Sequence, residues 1–231
     1  MNNNKLYEID DGVYELKNDN ISYILTKDSY SDNINQNKKI KFNNEIYRVW
    51  NYKKSKLGTL YKKKCKGIPS FKNKNILYLG ASYGTTVSHI SDILYNGNGI
   101  IYAVEFSENS IQSLINISKI RKNILPIFSN AYYPETYNFI VNDIDIIYQD
   151  LSQVNQFEIV MKNVDYYLNI NGFLILILKA RSISSTLEVE KIYNEEIKKI
   201  RSNNKLKIIN IINLKPYYND HLCIIAKLLN K

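Results

Sequence analysis

The chain has 231 residues, 45% of them hydrophobic and 23% charged, with 31 Lys and Arg against 22 Asp and Glu for a net charge of +9. This is the composition of an ordinary soluble globular protein, long enough for one large domain or a medium domain with a small appendage. Two cysteines (Cys65 and Cys223) and two histidines exclude a disulfide framework and argue against a zinc site. The longest strongly apolar run, FLILIL at 173–178, is far too short to span a bilayer. A soluble protein of a reducing interior, without metal or membrane partner, is expected.

Up to about residue 50 the pieces GVYELK, ISYILT and EIYRVW alternate apolar and polar residues between Asn/Asp/Ser clusters. That pattern predicts strands and turns, hence a small β-rich N-terminal domain over residues 1–53. Residues 38–74 then hold thirteen basic residues against one acid, Glu45. So concentrated a positive block favours a polyanion, RNA or DNA first. The stretch leading to residue 75 reads as a basic linker.

After residue 75 the rhythm changes. ILYLG, IIYAVE, NILPIF, DIDIIYQD and GFLILILK alternate with helical stretches, of which 155–168 is the best marked: Phe157, Val160, Met161, Val164, Tyr167 and Leu168 share one face. Strands apolar on both sides, alternating with helices, predict a parallel sheet covered on both faces. The end departs from this pattern. LKIINIINL (206–214) and HLCIIAKLL (221–229) are separated by only KPYYND, too little for a crossover helix, so an antiparallel hairpin is expected.

The strand ILYLG runs into GASYG at residues 80–84, which admits two machines. As G-x-S-x-G it is a hydrolase elbow with Ser82 as nucleophile, and Ser82, Asp150 and His221 even follow that family's chain order. Three features oppose this: too few strands precede it, no upstream oxyanion loop is visible, and His221 opens a strand rather than following one. As a strand-to-helix turn it is a cofactor cradle. The cradle predicts an acid at the end of the next strand to accept ribose hydroxyls, and IIYAVE supplies Glu105. A dehydrogenase would carry G-x-G-x-x-G, which is absent. The sheet with its antiparallel ending is instead that of S-adenosylmethionine-dependent methyltransferases, a Rossmann-like class I fold.

The runs YLGASYGTTVSHISDIL, IYAVEFS, LINISKIRKNILPI, DIIYQDLSQ, LILKARSIS and PYYNDH, in this order, closely resemble the fibrillarin family of box C/D ribonucleoprotein 2′-O-methyltransferases. The resemblance covers about residues 45–225 and implies a methyltransferase domain over 54–231 that methylates ribose 2′-hydroxyls of RNA, chiefly ribosomal RNA. It implies cofactor contacts at Gly80, Ser82, Gly84, Thr85, Thr86, Glu105, Phe106, Asn130, Ala131, Asp150, Leu151, Ser152 and Gln153. Gly80 and Gly84 would let the backbone approach the methionine moiety, and Phe106 would stack on adenine. It implies a catalytic tetrad of Lys56, Asp150, Lys179 and His221, in which Lys179 assists deprotonation, Asp150 orients it, and Lys56 and His221 place the ribose.

The implied partners are a guide RNA and target ribosomal RNA, a Nop-family scaffold protein and a kink-turn-binding protein. The implied compartment is the nucleolus, or the cytoplasm in an archaeon. Within the basic block, Lys53, Lys54, Lys62, Lys63 and Lys64 are the expected RNA-binding residues, because phosphate contacts position RNA without reading its sequence.

Departures from the family's pattern are Ser82 and Tyr83 in the turn, Asn130 in place of an acid, and Tyr52 and Lys54 in place of a proline and an arginine. A glycine-arginine-rich tail is also missing. Tyr83 is expected to crowd the cofactor. Rival readings are a catalytically weakened structural subunit, a protein (histone glutamine) methyltransferase, and the hydrolase.

Overall fold

The computed structural model describes residues 4–18, 21–32 and 38–231. The alternating segments near the start become β1 (Lys5–Asp10), β2 (Val13–Lys17), β3 (Ser22–Lys27), β4 (Lys39–Phe42) and β5 (Glu45–Val49). They form one antiparallel sheet in the order β1-β2-β3-β5-β4. Leu16, Leu25 and Tyr47 bury on one of its faces. Val13 and Ile24 join the main core together with Trp50, Val87 and Ile90.

The expected linker is instead partly a packed helix, α1 (Lys56–Lys62). Ser55 has extended backbone and its side chain accepts the Gly58 N–H at 3.2 Å, so it is an N-cap. Leu57, Leu60 and Tyr61 then fall on one face and are buried. The density of lysines hides this pattern in the sequence.

The second sheet contains β6 (Ile76–Leu79), β7 (Ile101–Glu105), β8 (Ile124–Phe128), β9 (Ile144–Gln149), β10 (Leu168–Lys179), β11 (Leu206–Asn213) and β12 (His221–Leu228). Between them run α2 (Thr85–Ile93), α3 (Glu108–Ile120), α4 (Gln156–Tyr167), the single turn α5 (Ala180–Ile183) and α6 (Val189–Arg201). The strand order is β11-β12-β10-β9-β6-β7-β8, parallel from β10 to β8, with β12 antiparallel to both neighbours. This is the expected mostly parallel sheet closed by an antiparallel hairpin. β12 lies inside the sheet and β11 at its edge, so Lys179 faces His221 directly in the register. The helix expected over 155–168 stops at Tyr167, because Leu168 already pairs with Ile144 as strand. No helix among the described residues is long and apolar enough to cross a membrane.

A charged layer joins the two sheets. Arg48 of β5 and Arg121, just after α3, are fully buried and each lies 2.6 Å from the Asp92 carboxylate of α2. Arg48 therefore leaves the block of basic residues offered to a polyanion. Thr26 of β3 donates to Asp92 at 2.8 Å, so its oxygen, 2.7 Å from His89 Nδ1, accepts that nitrogen's hydrogen. Burial first, then the charges of Arg48 and Arg121, hold His89 well below the ordinary 6.5.

His89 thus stays neutral in the folded chain while the unfolded chain protonates it below pH 6.5. The unfolded state then binds more protons, so this contribution to stability is complete above that pH and declines below it. The expected loss is up to about 1.4 kcal/mol per pH unit. Urea unfolding between pH 7 and pH 5 should show the decline, and His89→Gln should flatten it; equal slopes in both proteins would contradict the assignment.

Candidate functional site

Four parallel strands, β6, β7, β9 and β10, end at one edge of the sheet, where open α/β sheets bind ligands. The turn leaving β6 has Gly80, Ser82 and Gly84 at φ of 82°, 50° and 80°. A Cβ on Gly80 would lie 2.9 Å from the Asp150 carbonyl oxygen and 2.8 Å from Leu151 Cδ2, so only glycine fits there. Ser82 accepts its left-handed conformation because its N–H donates to Glu105 Oε2 at 2.7 Å. Gly84 begins α2 without a side-chain cap, leaving the helix N-terminus open to negative charge. The Tyr83 ring is 55% exposed.

At the end of β7, Glu105 is only 7% exposed and its Oε1 accepts the N–H groups of Phe106 (3.0 Å) and Ser107 (2.8 Å). The carboxylate is therefore fixed in place by backbone donors. Beside it the Phe106 ring is 55% exposed. After β8, Asn130 Oδ1 accepts the Tyr132 N–H at 3.0 Å, and the Ala131 carbonyl accepts from Asn163 at 2.8 Å. After β9, Leu151 is buried and Ser152 and Gln153 follow. A fixed carboxylate, an exposed aromatic ring and an uncapped helix start form a donor set that fits a nucleoside joined to an amino acid: hydroxyls on the acid, base on the ring, carboxylate at the helix.

Asp150 is the centre of the second group. Lys56 of α1 places Nζ 2.9 Å from its Oδ2, and Lys179, at the end of β10, places Nζ 2.8 Å from its Oδ1. Lys179 also donates to the Asp150 carbonyl and to Ser152 Oγ, each at 3.0 Å. Burial acts to raise the Asp150 pKa, but the two ammonium charges outweigh it and hold the carboxyl below its usual value. His221 stands opposite Lys179 in the strand register. Its Nδ1 meets the Asn219 carbonyl, which can only accept, so Nδ1 carries the hydrogen and Nε2 is left basic. Burial, helped by the charges of Lys56 and Lys179, outweighs the Asn219 bond and the Asp150 charge and depresses the His221 pKa below 6.5.

The four residues of the expected tetrad are thus gathered: three in direct ion-pair contact, with His221 beside them. Two cations on one carboxylate leave an excess positive charge suited to a developing oxyanion. The hydrolase arrangement is not formed, because His221 Nδ1 is engaged by Asn219 rather than by Asp150. Among the described residues no cluster of His, Cys, Asp and Glu could hold a metal.

The basic residues expected to bind RNA divide into separate places. Lys53 and Lys54 are exposed in the turn before α1. Lys62 donates to the Ser22 carbonyl at 3.0 Å, Lys63 to the Lys215 carbonyl at 2.7 Å, and Lys64 lies 3.8 Å from Glu15.

Three residues emerge that sequence reasoning did not single out. Tyr218 carries Lys56 Nζ over its ring at 5.0 Å and lies 5.7 Å from the His221 ring. Gln156, 1% exposed, accepts the Lys179 N–H at 3.0 Å and donates to the carbonyls of Gln153 and Lys179. No local sequence signal marks either. Ser55 did carry one, a serine two residues before an apolar i, i+3, i+4 face. Besides capping α1 it lies 2.9 Å from Thr86 Oγ1, tying the helix that starts with Lys56 to the cofactor turn. Ser55→Ala should lower stability by about 1 kcal/mol, read from the denaturation midpoint, and should reduce turnover more than that loss alone explains. Unchanged turnover in the folded variant would leave Ser55 a cap only.

A family model described as Fibrillarin matches residues 5–230. A fibrillarin-like rRNA/tRNA 2′-O-methyltransferase of Methanosarcina barkeri is 38% identical over 222 residues, 95% of this chain and 97% of the relative. The structure of Aeropyrum pernix fibrillarin with natively bound S-adenosyl-L-methionine superimposes with a TM-score of 0.87 at 33% identity, covering 98% of this chain and 100% of that one. The fibrillarin chain of a fibrillarin/Nop5p complex gives 0.85 at 35% identity, covering 96% and 100%.

Proposed function

The chain belongs to the fibrillarin family, and on that premise we propose that it transfers a methyl group from S-adenosylmethionine to ribose 2′-hydroxyls of ribosomal RNA. It does so in an assembly on a Nop-family scaffold, with a guide RNA choosing the target and a kink-turn-binding protein beside it. Such an assembly works where ribosomal RNA is made, in the nucleolus of a eukaryotic cell or the cytoplasm of an archaeal one. The observation that carries this reading is the meeting of Lys56 and Lys179 on Asp150, at 2.9 Å and 2.8 Å, on the sheet edge that also holds the Gly80 turn and Glu105.

The cofactor, when bound, supplies an electrophilic methyl group on a positively charged sulfur. Glu105 and Phe106 would hold its nucleoside, and the turn from Gly80 to Gly84 would receive its amino-acid end. Lys179 Nζ donates to the Asp150 carbonyl and Ser152 Oγ and lies 2.8 Å from Asp150 Oδ1, so it brings positive charge to the site. In this reading Lys179 assists deprotonation through that charge. His221, neutral near pH 7 because its pKa is depressed, takes the hydroxyl proton at Nε2. Lys56 and Lys179 stabilise the alkoxide as it forms, and Asp150 holds both in place.

Reconstitution with a scaffold, a kink-turn protein and a guide RNA, followed by mapping of 2′-O-methyl groups, tests this reading. One guide-specified methylated ribose is expected. An assembly that binds S-adenosylmethionine and target RNA yet methylates nothing would point instead to a structural subunit.

A further inference from the structure

The loop between β11 and β12 joins α1 to the charged centre. Within it the N–H groups of Tyr217 and Tyr218 both donate to the Leu214 carbonyl at 3.1 Å, closing the turn that carries the two rings. Two contacts hold this turn to the segment around α1. Tyr217 meets Tyr52 edge to face with centroids 4.9 Å apart, and Lys63, just after α1, donates to the Lys215 carbonyl at 2.7 Å. On its other side the loop is pinned to the end of β10: the Ala180 N–H donates to the Asp220 carbonyl at 3.0 Å, and Lys179 lies opposite His221 in the register.

Between these anchors the Tyr218 ring packs against the main core and lies beneath Lys56 Nζ, 5.0 Å from the ring centroid. Among the described residues Lys56 has one carboxylate partner, Asp150. A lysine has a flexible four-carbon stem, so a single ion pair leaves its ammonium free to swing about that contact. The ring face adds a second contact, because its quadrupole attracts a cation, and more strongly where water is excluded. The Lys56 side chain is only 15% exposed.

The ring, not the hydroxyl, makes this contact. Tyr218 Oη is buried and has no hydrogen-bond partner among the described residues. Burial, and then the Asp150 charge, push its pKa above the usual tyrosine value. It therefore stays protonated and offers Lys56 no negative charge.

We propose that Tyr218 is a positioning residue, whose ring face holds the Lys56 ammonium at Asp150 so that its charge meets the ribose 2′-oxygen as that oxygen is deprotonated. The inference rests on the RNA-methyltransferase reading above. His221 opens β12 at the end of the same loop, so one segment both sets the cation and presents the base.

Two variants separate the ring's charge distribution from its shape: Tyr218→Phe, and a chain with pentafluorophenylalanine at position 218, whose fluorines reverse the quadrupole of a ring that still fills the space. Each is assembled with scaffold, kink-turn protein and guide RNA. Tyr218→Phe should turn over near the parent rate and about tenfold faster than the fluorinated chain, with S-adenosylmethionine affinity the same in both. Equal turnover in the two variants, whether high or low, would overturn the proposal. Labelling of Lys56 by an amine-reactive ester, followed by peptide mass spectrometry on the full chain alone, gives a readout that needs no methylation. It should rise several-fold with the fluorinated ring and not with Tyr218→Phe; equal labelling would also reject the role. Differential labelling in chains whose assemblies methylate nothing would support the hold on Lys56 and overturn the methyltransferase reading, so the two failures are separable.

Discussion

Lys179→Ala is expected to lower kcat about 10³-fold while S-adenosylmethionine binds within a few-fold of the parent affinity. The ammonium sits 2.8 Å from Asp150 Oδ1 and also donates to the Asp150 carbonyl and Ser152 Oγ, so its loss removes positive charge and loosens the loop after β9 together. With Lys56 alone opposing burial, the Asp150 pKa rises, which weakens the hold on Lys56 in turn. The grip proposed for the cofactor at Glu105, with its backbone donors, lies at the end of another strand and is unaffected. Radiolabelled methyl incorporation and calorimetric titration separate the two effects, and a variant that keeps its turnover would remove Lys179 from the mechanism. In the parent protein the acid limb of the pH–rate profile should lie below 6.5, because burial and the two lysines depress His221. His221→Gln should lose that limb along with most of the rate.

Much of the second sheet is legible because its strands are buried on both faces and read as unbroken apolar runs. Ile175 to Leu178 is entirely buried, and the short length of such a run, with its β-branched residues, decides for strand over buried helix. The final hairpin follows from loop length alone. The first sheet is harder to read: β1 is mostly exposed and β4 has four residues of which none is buried, so neither shows clean alternation. Helix α1 is obscured by the lysines around it, although Ser55, Leu57, Leu60 and Tyr61 carry its signal.

In the site, Gly80, Glu105 and Asp150 are marked locally, each at a strand end. The Lys56–Asp150 contact joins residues 94 apart in sequence, and only the packing of α1 against the sheet edge creates it. For the same reason Tyr218 and Gln156 have no signature, since each acts on a lysine brought to it by tertiary structure.

Charge counting misleads most at Arg48 and Arg121, and the second large expected effect lies there. Arg121→Leu should destabilise the chain by about 3–5 kcal/mol, a large part of the 5–15 kcal/mol typical of a domain. The guanidinium is fully buried, 2.8 Å from Asp32, 2.6 Å from Asp92 and 2.9 Å from the Ser88 carbonyl, with its carbon 4.4 Å from the Tyr30 ring centre. Leucine would leave both carboxylates deprived of that partner and the Ser88 carbonyl with only the longer 3.3 Å bond from Arg48 among its side-chain donors. Burial already raises the Asp92 pKa against the pull of the two arginines, and with one of them gone the proton is favoured further.

The consequence reaches the site. Ser88 and Asp92 belong to α2, whose first turn holds Thr85 and Thr86, while the opposing groups Arg48 and Thr26 come from the N-terminal sheet. That sheet therefore acts as a brace on the cofactor helix, and loosening it should weaken S-adenosylmethionine binding although Arg121 is remote from the turn. Denaturant unfolding and calorimetric titration of Arg121→Leu measure the two losses. A stability change under about 1 kcal/mol, at the level of an exposed ion pair, would mean that the buried network is not the joint between the sheets.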